Sequence, residues 1–299
     1  MMTIERTSQP LCKHKTILRS IIIAILLMVN GLPSIGGLPE GKPSSRIAAM
    51  GGLGVAIPDE WSLFHNQAGM AFIGYPWVGA HHENRFISPD LSFSSLGIIY
   101  PVKPGALGFS VKRLGFSDFS QTKVGLSYGM KLSPRFSAGV QMSMHNIYAK
   151  GEYGQTSSFT AEGGVMYSPT SNLTIGAHVF NPTRSKINKD DRIPTIFTLG
   201  AAYKLGNSVL LTAGAEKNID HKPNLKFGIE YQPLENLFFR TGIATEPNLI
   251  GFGMGYQFGN IRMDIAFSRH EYLGYTPHIS ISYQFLKRNK PIEADKTAP

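Results

Sequence analysis

Two short stretches carry residue types able to do chemistry. His81-His82-Glu83 offers two imidazoles and a carboxylate in consecutive positions, the donor types of a metal site. Adjacent side chains of an extended strand point to opposite faces, so His81 and His82 diverge and no metal is expected there. His278-Ile279-Ser280 places an imidazole and a hydroxyl on one face. A serine nucleophile also needs a base within hydrogen-bond reach and a third group to orient that base. Ser280 has no G-x-S-x-G elbow around it and no evident acid partner, so no catalytic residue is expected and the chain reads as a non-enzyme. A P-loop, a dinucleotide fingerprint and paired zinc cysteines are all missing from the sequence, and no cofactor is expected. The single cysteine, Cys12, lies ahead of an apolar run near the N-terminus.

A larger set of polar residues recurs at every second position of alternating segments. It comprises Gln141, His145, Glu162, His178, Lys226, Glu230, Arg240, Arg262 and Asp264, with Lys204 and Glu216 of the same parity. Their apolar neighbours point the other way. Leu225, Phe227, Ile229 and Tyr231 oppose Lys226, Gly228, Glu230 and Gln232, and Ile279, Ile281, Tyr283 and Phe285 oppose Ser280, Ser282 and Gln284. Period two over about ten residues predicts a strand with one apolar face.

Fourteen such runs are legible: 75–83, 91–101, 105–114, 121–132, 135–147, 157–168, 172–181, 193–205, 207–216, 223–232, 236–244, 248–258, 260–269 and 275–285. Short turns such as KLSPR, KLGN and QFGN follow the even runs, and longer polar stretches such as YAKGEYGQ and NPTRSKINKDDR follow the odd ones. An even strand count with short turns at one end and long loops at the other predicts an all-β chain, a 14-stranded antiparallel transmembrane β-barrel.

The even runs share a signature. Six read Gly-x-x-Tyr and the seventh Ser-x-x-Tyr, ending at Tyr100, Tyr128, Tyr167, Tyr203, Tyr231, Tyr256 and Tyr283. The tyrosines lie on the apolar face beside the short turns, which predicts a ring at one membrane–water boundary. The Gly or Ser three residues earlier faces inward and leaves room for something inside. A barrel of this size is too wide for wall side chains to fill, so it is expected to be an open channel or to be plugged.

The domain reading follows. Residues 1–36 read as a signal peptide, with Lys13, Lys15 and Arg19 before the apolar Ile21–Val29 run and small, turn-forming residues after it. Residues 37–73 do not alternate and read as the plug, with Gly51, Gly52 and Gly54 packed closely on a neighbour and a short helix from Pro58 to Asn66. Residues 74–285 form the barrel, and 286–299 are a charged tail expected to be disordered. Net charge is +9, but much of the excess sits in the two ends, and no basic block is interleaved with stacking aromatics, so no nucleic-acid partner is expected. The expected surroundings are outer-membrane lipid and lipopolysaccharide, whose phosphates Arg184, Lys186, Lys189, Arg192, Lys222 and Arg269 of the outer loops could meet.

The plug segment resembles the N-terminal region of FadL-type outer-membrane transport proteins (OMPP1/FadL/TodX), and is closer still to the PorV/PorQ-type branch known from Bacteroidota. The resemblance rests on Ala48-Ala49-Met50-Gly51-Gly52, on Val55-Ala56, on Asp59-Glu60 and on Asn66-Gln67-Ala68-Gly69, where Gln67 replaces the proline frequent in the family. It implies an outer-membrane protein of FadL-like build. The PorV/PorQ branch implies an accessory role in type IX protein secretion, with secretion-system proteins or secreted cargo as partners. The FadL branch implies the alternative, passive transport of a hydrophobic ligand such as a long-chain fatty acid, released sideways through the wall.

Overall fold

In the computed structural model, residues 41, 43–151, 154–187 and 192–285 are described. The segments expected to be a signal peptide (1–36) and a tail (286–299), the first residues of the expected plug, and Lys189 lie outside the described residues. No helix among the described residues is long and apolar enough to cross a membrane.

The chain forms a closed antiparallel barrel of fourteen strands. They are β1 (Trp77–Asn84), β2 (Ser92–Val102), β3 (Gly105–Gly115), β4 (Phe119–Ser133), β5 (Phe136–Ala149), β6 (Gly154–Tyr167) and β7 (Leu173–Phe180), followed by β8 (Ile196–Leu205), β9 (Val209–Asn218), β10 (Asn224–Leu234), β11 (Leu237–Thr245), β12 (Asn248–Phe258), β13 (Ile261–His270) and β14 (Gly274–Gln284). Each strand pairs with its sequence neighbours, and β1 pairs with β14 to close the ring, with Trp77 opposite Gln284 and Glu83 opposite His278. Every run expected from period-two alternation forms a strand, because the signal is local: a residue's parity sets its face wherever the strand pairs.

The faces are inverted relative to a soluble barrel. Outward side chains are large and apolar, with Leu126 66% and Met142 71% exposed, while inward Lys226 and Asn224 of β10 are buried. Such a continuous apolar belt requires lipid around it. The repeated tyrosines all sit on this outer face; six are largely exposed, and Tyr128 is partly covered.

The inside is filled by the segment that precedes β1. It contains a short helix α1 (Ser45–Ala49) and two 3-10 turns, Glu60–Phe64 and Gln67–Phe72. Ser44 caps α1 by accepting a hydrogen bond from Ile47 N, and Asn66 caps the second turn by accepting from Ala68 N. The helix expected from Pro58 to Asn66 is shortened to the first of these turns. Asp59 stands at its N-terminal edge without capping it, because its carboxylate is drawn to Arg46 instead.

The segment runs around the inner wall. Helix α1 packs on β11 to β14, Leu53 and Val55 lie against β7 to β9, and the second turn lies against β3 to β6. Its path follows a belt of small residues. A Cβ on Gly97 would press on Leu63 and Phe64, one on Gly164 would overlap Asn66, one on Gly228 would press on Met50, and Ser280 bonds Ser45 directly. These are the small residues of the Gly-x-x-Tyr repeat. Gly125 departs from the pattern, since it faces Gln141 and Ser110 of neighbouring strands. The odd strands add Gly139, Gly176 and Gly242, where a Cβ would overlap plug backbone at Gln67, Val55 and Met50. Gly51 needs its lack of a side chain twice over: its φ is +70°, and a Cβ would overlap the Ile243 carbonyl oxygen.

Candidate functional site in the barrel lumen

Polar residues inside the barrel gather in three places. The first lies at the tyrosine end and joins plug to wall. Arg46 of α1 donates to Asp59 at 2.7 Å and to both oxygens of Glu230, through Nε at 2.8 Å and Nη2 at 2.6 Å. Glu230 also accepts from Arg240 Nε at 2.5 Å, Arg240 Nη1 lies 2.7 Å from Asp264, and Arg262 Nε lies 3.3 Å from Asp264. Three guanidiniums thus face three carboxylates, a neutral set that tolerates burial because every charge has a partner. Burial pushes the Asp59 carboxyl up to about 6, against the opposing pull of Arg46. Beside this set, Glu60 accepts from Tyr75 Oη and from Gln284 Nε2, each at 2.6 Å. Burial, reinforced by Glu60, pushes the Tyr75 hydroxyl up.

The second group lies on the wall from β3 to β7. Glu162 accepts from Lys123 Nζ at 2.8 Å and Gln141 Nε2 at 2.6 Å, and its other oxygen lies 3.4 Å from His178. Ser127 donates to Gln141 at 2.5 Å, and His145 bonds Thr160 at 2.9 Å. Gln67 starts the second plug turn and reaches this group through a 3.4 Å contact with Gln141. Nearby, a cavity of about 30 Å³, room for about one water, is lined by residues including Phe93, Lys112, Lys123 and His145. On the opposite side, Lys226 is buried and pairs with Glu216 at 2.6 Å. Lys204 is exposed at the end of β8, away from the others.

The third group lies at the loop end of the closure seam. His82 points outward and bonds Ser94, as adjacent-residue divergence requires. His81 and Glu83 share the inner face, and His278 of β14 stands opposite Glu83. The donor atoms of these three residues all lie within 4.8 Å of one another, which makes them, among the described residues, the group able to hold a metal ion. His81 and His82 diverge as strand parity requires, but that local reading misses His278, nearly two hundred residues away in sequence. Ser280, His81 and Glu83 also form a serine–imidazole–carboxylate chain, at 3.0 Å and 3.4 Å. The Ser280 hydroxyl is engaged by the plug, accepting from Ser45 N and donating to Ser45 Oγ, each at 2.8 Å. Ser280 is buried beneath that contact.

Arg46, Lys112 and Lys123 also belong to these groups and were not singled out from the sequence. The two lysines could have been found by strand parity. For Arg46 the signal was a cation placed directly before the small, apolar Ile47-Ala48-Ala49-Met50 run.

No protein-family model and no curated protein sequence matches this chain. Solved structures do. The toluene transporter TbuX of Ralstonia pickettii aligns over 80% of this chain and 97% of its own, with 13% identity and a TM-score of 0.61. A FadL homologue of Pseudomonas aeruginosa aligns over 86% of this chain and 100% of its own, with 13% identity and a TM-score of 0.62. The barrel has the FadL-type fold. The monoaromatic hydrocarbon channel CymD gives a TM-score of 0.65 at 10% identity, over 82% of this chain and 98% of its own. At such identities the FadL-type likeness is one of architecture, and function rests on the site.

Proposed function

We propose that this chain is an outer-membrane channel protein for the passive passage of small hydrophobic molecules, and not an enzyme. The observation that carries the reading is the seam between β6 and β7. It has six paired positions, Glu162–Tyr167 with Ile175–Phe180, the shortest ladder in the barrel. The β6 residues from Gly154 to Ala161 pair with β5 on one side but have no β7 partner on the other. Strand edges exposed to lipid must be covered. Here two hydrogen bonds contribute that cover, Asn181 N to the Ala161 carbonyl at 3.0 Å and Ser158 Oγ to the Lys186 carbonyl at 2.7 Å. The six paired positions of this seam compare with seven at the β1–β14 and β10–β11 seams and eight or more elsewhere.

Phe180 supports the same route. It is buried inside this seam, and its ring lies 4.3 Å from Lys123 Nζ and 6.1 Å from the His145 ring, two residues of the lumen cavity. An apolar molecule arriving in the outer lumen would pass Phe180 and leave sideways into the membrane. The printed descriptions of TbuX and CymD, a toluene transporter and a monoaromatic hydrocarbon channel, agree with such cargo. The apolar outer belt and tyrosine ring suit an outer membrane, with the tyrosine end toward the periplasm. The secretion role expected first rests on one motif, and no comparison supports it.

The test is uptake of radiolabelled toluene and oleate by cells lacking their own channels. Expression of this chain should raise initial uptake, and Phe180→Ala should change the rate without loss of the folded barrel. Uptake equal to the empty vector, together with periplasmic retention of secreted proteins when the gene is deleted, would replace transport with the secretion role.

A further inference from the structure

We propose that His81, Glu83 and His278 form a binding site for a divalent transition metal of the zinc class, which clamps the first strand of the barrel to the last. The strand register creates the site. His81 and Glu83 are two residues apart on β1 and so project to the same inner face, and the pairing of β1 with β14 sets His278 directly across from Glu83. His81 Nε2 lies 3.4 Å and His278 Nδ1 3.1 Å from the same carboxylate oxygen, Glu83 Oε2. Ligands bonded to a tetrahedral zinc at about 2.0–2.1 Å are themselves about 3.3 Å apart. Two imidazoles with one carboxylate favour zinc, cobalt or iron over calcium or magnesium, which prefer all-oxygen sites.

The atoms behind the donors point the same way. A metal-bound histidine is oriented by a partner on its other nitrogen. His81 Nδ1 is 3.0 Å from Ser280 Oγ, and His278 Nε2 is 2.9 Å from Ser268 Oγ. The second oxygen of Glu83 is held by Arg85 Nε at 2.7 Å. Each donor residue is thus oriented on the side away from the shared centre. All three are buried, at 2%, 4% and 7% exposure for His81, Glu83 and His278. His278 Nδ1 approaches Glu83 without the alignment of a hydrogen bond and has no other partner. If His278 Nε2–H donates to Ser268, the Nδ1 lone pair faces a carboxylate, and a cation between them removes that repulsion.

The location gives the site a task. The β1–β14 seam joins the two ends of the barrel, and it is the pairing with the greatest sequence separation. An ion bound across it favours the closed ring, since the unfolded chain holds these ligands far apart. Ser280 then links the site to the plug through Ser45.

The experiment uses the full chain purified in detergent, stripped with chelator and titrated with Co²⁺. Expected are one ion per chain, the visible absorption of tetrahedral cobalt, and its displacement by Zn²⁺. His278→Asn should weaken binding at least a hundredfold, Ser268→Ala about tenfold to a hundredfold, and His82→Asn should leave it unchanged. Absence of cobalt absorption from the folded wild-type barrel overturns the site. So does equal binding by wild type and His278→Asn, or loss on His82→Asn. Should His278→Asn fail to fold, the wild-type and Ser268→Ala titrations still decide.

Discussion

The two largest polar networks of the lumen are built from similar residues yet hold different things together. The network around Arg46 spans plug and wall, tying α1 to β10, β11 and β13, with Arg46 and Glu230 184 positions apart. The network around Glu162 lies mainly within strands β4 to β7, its members cross-strand neighbours such as Gln141 opposite Glu162, and it touches the plug only through the 3.4 Å contact of Gln67 with Gln141. The first is therefore a lock on the plug, and the second a brace within the wall. The difference teaches that burial and full charge pairing do not reveal what a network is for. What matters is whether its bonds cross between parts that can separate.

That contrast breaks if the two networks respond alike to mutation. Arg46→Ala should have the largest effect. It strands Asp59 and removes one of the cations on Glu230, at a cost of about 3–5 kcal/mol for breaking a buried pair. The cost should fall on plug docking: single-channel conductance in planar bilayers should rise while the barrel keeps its heat-modifiable migration on gels. Lys123→Met should cost somewhat less, up to about 3 kcal/mol, because Gln141 still donates to Glu162. Its effect should appear as a lower barrel melting temperature at unchanged conductance. Conductance rising equally in both variants would erase the distinction.

Gly242→Val sharpens the comparison by displacing the plug without touching a charge. A Cβ there overlaps Met50 and Gly51 backbone, and overpacking costs about 1–3 kcal/mol. Protease cleavage in the plug should increase while the wall stays intact, and unchanged cleavage would count against the belt as the plug's seat. The smallest effect is expected from pH. The Asp59 carboxyl is raised to about 6 by burial, above its ordinary value near 4. The docked plug then binds more protons than the released one, so the contribution of Asp59 is complete below about pH 4 and is lost as pH rises through 6. Channel openings should become rarer between pH 7 and 5, and Asp59→Asn should flatten that dependence.

The sequence by itself determined the strands, their number and the face of each residue. Those follow from period two, turn residues and the repeated Gly-x-x-Tyr, all read within about ten positions. It also marked Gly51 for close backbone approach, where a Cβ would overlap the Ile243 carbonyl oxygen. Only the tertiary structure decided what the inward residues meet. Arg46 finds Glu230, Ser45 finds Ser280, and His81 with Glu83 finds His278. The helix expected at Pro58 contracts to one turn for the same reason, since Asp59 is drawn to Arg46. Local pattern cannot carry such pairings, because they depend on ring closure and on the path of the plug, which bring together residues separated by most of the chain.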